Sequence, residues 1–177
     1  ITATTADGGY KATCTVTVTD KTYTISVTPD KLDFGTILQN AAQPAAQTVT
    51  VTNTGNQTVT LNQPAATNFL VGTLSKTELK PNETAAFTVQ PKAGLAMGQY
   101  EEPLTVSNTN GQTASLTANL TVDPVPVTGV TLEKNTLALF TGDSAALAAT
   151  VAPADATNKA VNWASSNPAI VTVDANG

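Results

Sequence analysis

Thr48-Val49-Thr50-Val51-Thr52-Asn53-Thr54-Gly55-Asn56-Gln57-Thr58-Val59-Thr60-Leu61 decides the fold. Apolar and hydroxyl side chains alternate with a period of two, first up to Asn53 and again from Thr58. Alternation of that period places all the apolar groups on one face of an extended strand. Thr54-Gly55-Asn56 interrupts it with residues that accept tight backbone turns. The stretch therefore reads as strand, turn, strand, with one face of each strand buried.

The same pattern recurs outward in both directions. Tyr10 to Val18 alternates without a slip, placing Tyr10, Ala12, Cys14, Val16 and Val18 on one face. Ala85 to Val89 and Ser115 to Val122 repeat it. Ala145 to Ala152 is rich in alanine, but it carries Thr150 and Val151 and stops at Pro153, so it too reads as a strand. No stretch shows a helical period. Turn signals at Asp7-Gly8-Gly9, Lys80-Pro81-Asn82-Glu83, Gly94 to Gly98, Asn110-Gly111, Thr141-Gly142-Asp143 and Ser166-Asn167-Pro168 fall at the spacing of an all-β sandwich. The expected fold class is all-β, as tandem immunoglobulin-like β-sandwiches of antiparallel sheets packed face to face.

Two junctions divide the chain. Each is a strand followed by an aspartate and a fresh start: Val18-Thr19-Asp20-Lys21, and Val122-Asp123-Pro124-Val125-Pro126. The two prolines stiffen the second toward an extended form. Expected units are 1–19, 20–123 and 124–177. The middle one has the size of a single sandwich and is expected to hold seven strands. Its predicted inward set is Phe34, Val49, Val51, Leu61, Phe69, Phe87, Val89, Leu104, Val106, Leu116 and Leu120. The chain opens and closes in mid-pattern and reads as part of a longer protein.

Composition narrows function by exclusion. All eight cations are lysines, against 13 acidic residues, for a net charge of −5. There is no histidine and a single cysteine, Cys14. One chain can therefore build neither a zinc site of the usual nitrogen and sulfur type nor a histidine-activated nucleophile, and Cys14 has no partner for an intrachain disulfide. An acidic chain without arginine carries no footprint for nucleic acid, and its short apolar runs insert into no membrane. Threonine, at 34 of 177 residues, supplies a polar surface with little charge.

Carboxylate pairs remain as possible catalysts. Glu101 and Glu102 are adjacent, so a strand sends them to opposite faces; Asp30 and Asp33 flank a turn. A glycosidase places its two carboxylates across an aromatic-lined cleft, and aromatics make up only 5% of this chain. Asp20 and Asp123, one at each junction, are candidate calcium ligands, but no ligand-rich loop surrounds them. Asn56-Gln57-Thr58, Asn82-Glu83-Thr84 and Asn119-Leu120-Thr121 match the glycosylation pattern, as chance provides in so threonine-rich a chain. Nothing singles out a lysine and an asparagine for an isopeptide crosslink. No catalytic residue, cofactor or metal site is expected.

Val127 to Leu132, Gly142-Asp143-Ser144, Pro153-Ala154-Asp155-Ala156-Thr157-Asn158-Lys159, Trp163-Ala164-Ser165-Ser166-Asn167-Pro168 and Val171 to Gly177 resemble the first part of a bacterial Ig-like domain of group 2, the invasin/intimin-like type. Ile1 to Val18 resembles the end of the same domain type. Leu32-Asp33-Phe34-Gly35, Val49 to Gly55, Leu79 to Thr84 and Ala93 to Tyr100 resemble the abnormal-spindle/hydin-like Ig-like sandwiches. The chain departs from the antibody pattern of two cysteines about a tryptophan, so the resemblance implies that Trp163 packs without a disulfide.

The resemblance implies a non-enzymatic spacer module of a large bacterial protein, at the cell surface or secreted, that presents an adhesive or enzymatic head. Its partners would be other Ig-like domains of the same protein. An alternative uses an internal echo: Val51 to Leu61 aligns with Val106 to Leu116, pairing the Asn/Thr-rich loops around Gly55 and Gly111 as an adhesive edge for a glycan or host surface protein, with Asn56 and Asn110 on it. A third option is an accessory domain of a carbohydrate-active enzyme. Each incomplete end is the complement of the other. The expectation is that residues 1–19 of one molecule complete residues 124–177 of another, as a dimer or head to tail, with Cys14 buried near the partner's Trp163.

Overall fold

The computed structural model describes all 177 residues. It contains thirteen strands, and no helix is long and apolar enough to cross a membrane. A short hairpin comes first, β1 (Thr2–Thr4) with β2 (Lys11–Thr13). The sandwich follows: β3 (Ile25–Thr28), β4 (Lys31–Leu38), β5 (Gln47–Asn53), β6 (Val59–Thr60), β7 (Phe69–Val71), β8 (Glu78–Leu79), β9 (Thr84–Pro91), β10 (Gly98–Ser107) and β11 (Thr113–Asp123). A second antiparallel pair, β12 (Gly129–Leu132) with β13 (Ala149–Ala152), lies beyond it.

The sandwich sheets have the orders β3-β5-β9-β7 and β10-β11-β4. These seven strands match the expected number, and the structure adds a separate ribbon, β6 with β8. The ribbon brings Val59 and Leu79 into the core, where both are buried. All eleven residues of the predicted inward set are buried, and the core also includes Ile25, Leu32, Ala85, Ala118 and Val122. Threonines fill the opposite phase of β5, where Thr48 is exposed and Thr50 and Thr52 are half-buried.

One pairing departs from the antiparallel expectation. The chain switches sheets at Pro29 and Asp30, and β4 then runs parallel to the last strand of the sandwich, β11. Proline has no N–H to donate, which suits it to a point where the strand leaves one ladder for another. The register slips by one residue between Asp33 and Thr36. Gly35 sits there with φ 71°, and its N–H donates to Asp33 Oδ1 at 2.8 Å. This is a β-bulge, and the left-handed backbone is one that glycine tolerates without strain.

Glu102 lies on the inward phase of β10, at the rim of the core. Its carboxylate accepts from the backbone N–H of Thr67 and of Asn68, the latter at 2.8 Å, and so ties the segment before β7 to the opposite sheet. Partial burial raises the carboxyl pKa, but the two backbone donors outweigh it and hold the group below the ordinary carboxylate value.

Outside the sandwich the expectations hold less well. Of the stretch Tyr10 to Val18, only Lys11–Thr13 is a strand; every residue from 1 to 20 is exposed, Tyr10 at 77% and Val18 at 89%. Of Ala145 to Ala152, only Ala149–Ala152 pairs. Trp163 is half-buried, and Ala156 is the only buried residue of 126–177. Alternation sets which face a strand can bury, but a strand needs a second layer to bury it against.

Two outcomes follow. Leu116→Ala empties a site in the closed core and is expected to cost about 2–5 kcal/mol in urea unfolding, whereas Leu139→Ala, at a position 42% exposed, should cost well under half as much. Glu102→Gln is expected to lower the melting temperature by a few degrees at neutral pH. Because the folded carboxyl is held low, its stabilisation is present above the ordinary value of about 4.3 and is lost as pH falls through the depressed one. Melts of both proteins across the acid range should converge there; a gap that persists at the lowest pH would refute the assignment.

Candidate functional site

At the two poles of the sandwich, side chains from several elements meet where neighbouring segments arrive and leave. At the first pole, β5 ends in Asn53 and β10 runs on into Asn108. Both continue the inward phase, after Val49 and Val51 and after Leu104 and Val106, and both are buried. Asn53 Nδ2 donates to the carbonyls of Gln57 (2.8 Å) and Leu79 (2.9 Å), while its Oδ1 accepts from Gly55 N–H (2.9 Å). Asn108 Nδ2 donates to Tyr23 O (2.7 Å), and its Oδ1 accepts from Asn110 and Gln112 N–H, each at 3.0 Å. Each side chain thus folds its own turn and links it to a distant segment.

The segment that arrives is Asp20 to Thr24. Asn56 Oδ1 accepts from Thr22 N–H and its Nδ2 donates to Asp20 O, both at 2.8 Å. Gly55 is buried beneath it: a Cβ there would lie 2.4 Å from Thr22 O and 2.9 Å from Thr24 N. The echoed loops do share a pole, but Gly55 is covered and the Asn56 amide is engaged, while Asn110 and Gly111 remain exposed. Nearby, Glu83 accepts from Lys80 N–H (2.9 Å) and pairs with Lys76 Nζ (3.1 Å), and these contacts lower its pKa.

At the opposite pole the chain leaves through Asp123. Asp123 O accepts from Gln39 N–H at 2.8 Å. Val125 is buried. Its N–H donates to Thr157 Oγ1 (2.8 Å), its carbonyl accepts from Thr157 N–H (3.0 Å), and the Thr157 hydroxyl donates to Gln39 Oε1 (3.4 Å). Ala156 is buried alongside. The loop Pro153 to Thr157 therefore grips the linker. The sequence reading missed this role for Thr157, because its partners Val125 and Gln39 are distant in sequence.

The remaining candidates do not converge. Asp20 and Asp123 lie at opposite poles, so they cannot share one ion. Asp33 is occupied by Gly35 N–H, Glu102 by Thr67 and Asn68, and Glu101 is exposed on the other face of β10. Asp33, Glu101 and Asn119 line an open polar crevice of about 360 Å³ at the bulge. With the Asn119 amide oxygen turned toward it, Lys31 Nζ lies at 3.2 Å. That pair sits on the exposed side of the sheet, without the apolar enclosure in which lysine serves as a nucleophile. Of the three glycosylation-type asparagines, Asn56 has its amide committed to Asp20 O.

The family described as HYDIN/CFA65/VesB-like, Ig-like domain matches residues 23–123, and the bacterial Ig-like domain (group 2) matches residues 126–177. An Ig-like virion protein of Serratia phage KSP90 is 52% identical over 56 residues, which are 32% of this chain and 22% of that protein. An uncharacterised protein of Clostridium acetobutylicum is 50% identical over 50 residues, 28% of this chain and 13% of that one. The chain thus spans only a minor part of the length of these relatives. Among solved structures, the VesB protease of Vibrio cholerae aligns at 18% identity with a TM-score of 0.39, over 58% of this chain and 31% of that one. With more than half its length in the match, the chain belongs to the HYDIN/CFA65/VesB-like Ig-like domain family, joined to a group 2 bacterial Ig-like segment.

Proposed function

We propose that this chain is a non-enzymatic spacer of an extracellular or particle-surface protein, in which the sandwich 20–123 passes a fixed direction from one Ig-like module to the next. The observation that carries the reading is the gripping of both junctions at opposite poles: Asn56 holds Asp20 and Thr22, and Thr157 holds Val125 and Gln39. At the second junction the loop of the following block grips the linker, which cannot swivel without losing those bonds, each worth about 1 kcal/mol; at the first, Asn56 fixes the direction of the chain as far as Asp20. The carboxylates are spent on backbone donors or point apart, which favours a role without catalysis. The likeness to a virion protein and to group 2 bacterial domains supports an outward-facing location.

Adhesion through the loops around Gly55 and Gly111 has less support, since only the Asn110-Gly111 side is free. Small-angle scattering of the whole chain tests the spacer reading. The wild type is expected to scatter as one elongated body, and Asn56→Ala combined with Thr157→Val should add flexibility without lowering the sandwich's melting temperature by more than a few degrees. A wild type that already scatters as freely jointed beads would refute it. A glycan-array signal abolished by Asn110→Ala would favour adhesion instead.

A further inference from the structure

Four strands border the sandwich sheets, and three of them offer little to a strand from another molecule. β3 and β7 have only four and three residues. β4 is interrupted by the bulge at Gly35, and its carbonyls at Asp33 and Leu38 already accept from Gln47 Nε2 (2.8 Å) and from Ala41 N–H (3.0 Å). The fourth, β10, is ten residues long and has β11 as its one neighbour in the sheet. A long, regular edge is a template for pairing with another chain.

The bonds at the end of β10 fix which of its groups face that edge. Backbone groups of successive residues in an antiparallel strand point to alternate sides. Asn108 N–H donates toward the β11 side, to Gln112 O at 3.0 Å. Ser107 O accepts instead from Asn62 N–H (2.9 Å), and Thr109 N–H donates to Thr60 O (3.0 Å), so these two residues face away from β11, toward the chain that follows β6. Every second residue before them, Thr105, Pro103, Glu101 and Gln99, faces the same way. Pro103 thus costs the pairing with β11 nothing, and stands in the middle of the outward-facing stretch that lies beyond Asn62. Glu101, Pro103 and Thr105 are all exposed.

We propose that the outer edge of β10 is complementary to the same edge of a second copy, and that Pro103 keeps the two from joining. An antiparallel pairing about a two-fold axis at position 103 would set Glu101 opposite Thr105 of the copy, with no like charges facing. An axis at Glu101 would bring two carboxylates together, which is unfavourable. The electrostatically open register is therefore the one in which proline removes both central N–H donors and sets ring against ring. Copies lying side by side then stay separate, although each carries a strand long enough to merge their sheets.

Sedimentation of the whole chain across the micromolar range tests this. Pro103→Thr restores the outward N–H, and is expected to form a species of twice the wild-type mass that the wild type lacks at the same concentration. Pro103→Ala should do the same without a β-branched side chain. Both changes fall at an exposed position, so the sandwich should melt within a few degrees of wild type. Adding Thr105→Glu to either variant sets a carboxylate opposite Glu101 of the copy and should return the wild-type distribution. The proposal is overturned if both single variants sediment as wild type does, or if their association survives Thr105→Glu. Neither failure touches the spacer reading, which is decided by flexibility at the junctions.

Discussion

Two buried asparagine amides organise the pole on which the sandwich is built. A buried amide left without partners costs about 1–3 kcal/mol, far more than a satisfied one contributes, so Asn53 and Asn108 constrain everything that they touch. Asn53 closes the turn after β5 and holds the ribbon strand β8 through Leu79. Asn108 closes the turn after β10 and draws in Tyr23, two residues before the first sandwich strand. No buried side-chain polar atom in the structure lacks a partner. With those turns fixed, Gly55 gives the arriving backbone room to lie flat, and Asn56 fastens it.

Much of this was legible in the sequence. Alternation along Thr48 to Thr52, Ala85 to Val89 and Ser115 to Val122 identified the buried face residue by residue, because a period of two leaves no freedom in which side chains share a face. Asn53 and Asn108 were legible too. They stand in the inward phase two residues beyond valines, where a polar side chain must be fully bonded, but the echo drew notice to the exposed neighbours Asn56 and Asn110 instead. The sheet switch at Pro29 and the parallel pairing of β4 with β11 were not legible, because strand neighbours are settled by contacts distant in sequence. The slip at Gly35 is visible only once Asp33 and Asn119 face each other.

The terminal blocks teach the complementary lesson. Tyr10 to Val18 has as regular a pattern as any core strand, yet it buries nothing. Trp163 occupies the most distinctive motif of the chain and is only half-buried. Pattern reports what a segment is able to bury; burial itself depends on a partner surface. The junctions carry the same message, since Thr157 and Gln39, 118 positions apart, became meaningful only when the fold brought them together.

The parallel pairing of β4 with β11 has a mechanical consequence. The chain arrives at one pole and departs from the other, and its first long strand lies beside its last. Tension between neighbouring modules would draw β4 backward and β11 forward along their common axis. The pairs from Lys31 with Thr117 to Leu38 with Asp123 would then be loaded together in shear. Peeling would instead break ladder bonds one at a time. A sandwich threaded in this way resists stretching best along the line in which a rod of such domains is pulled.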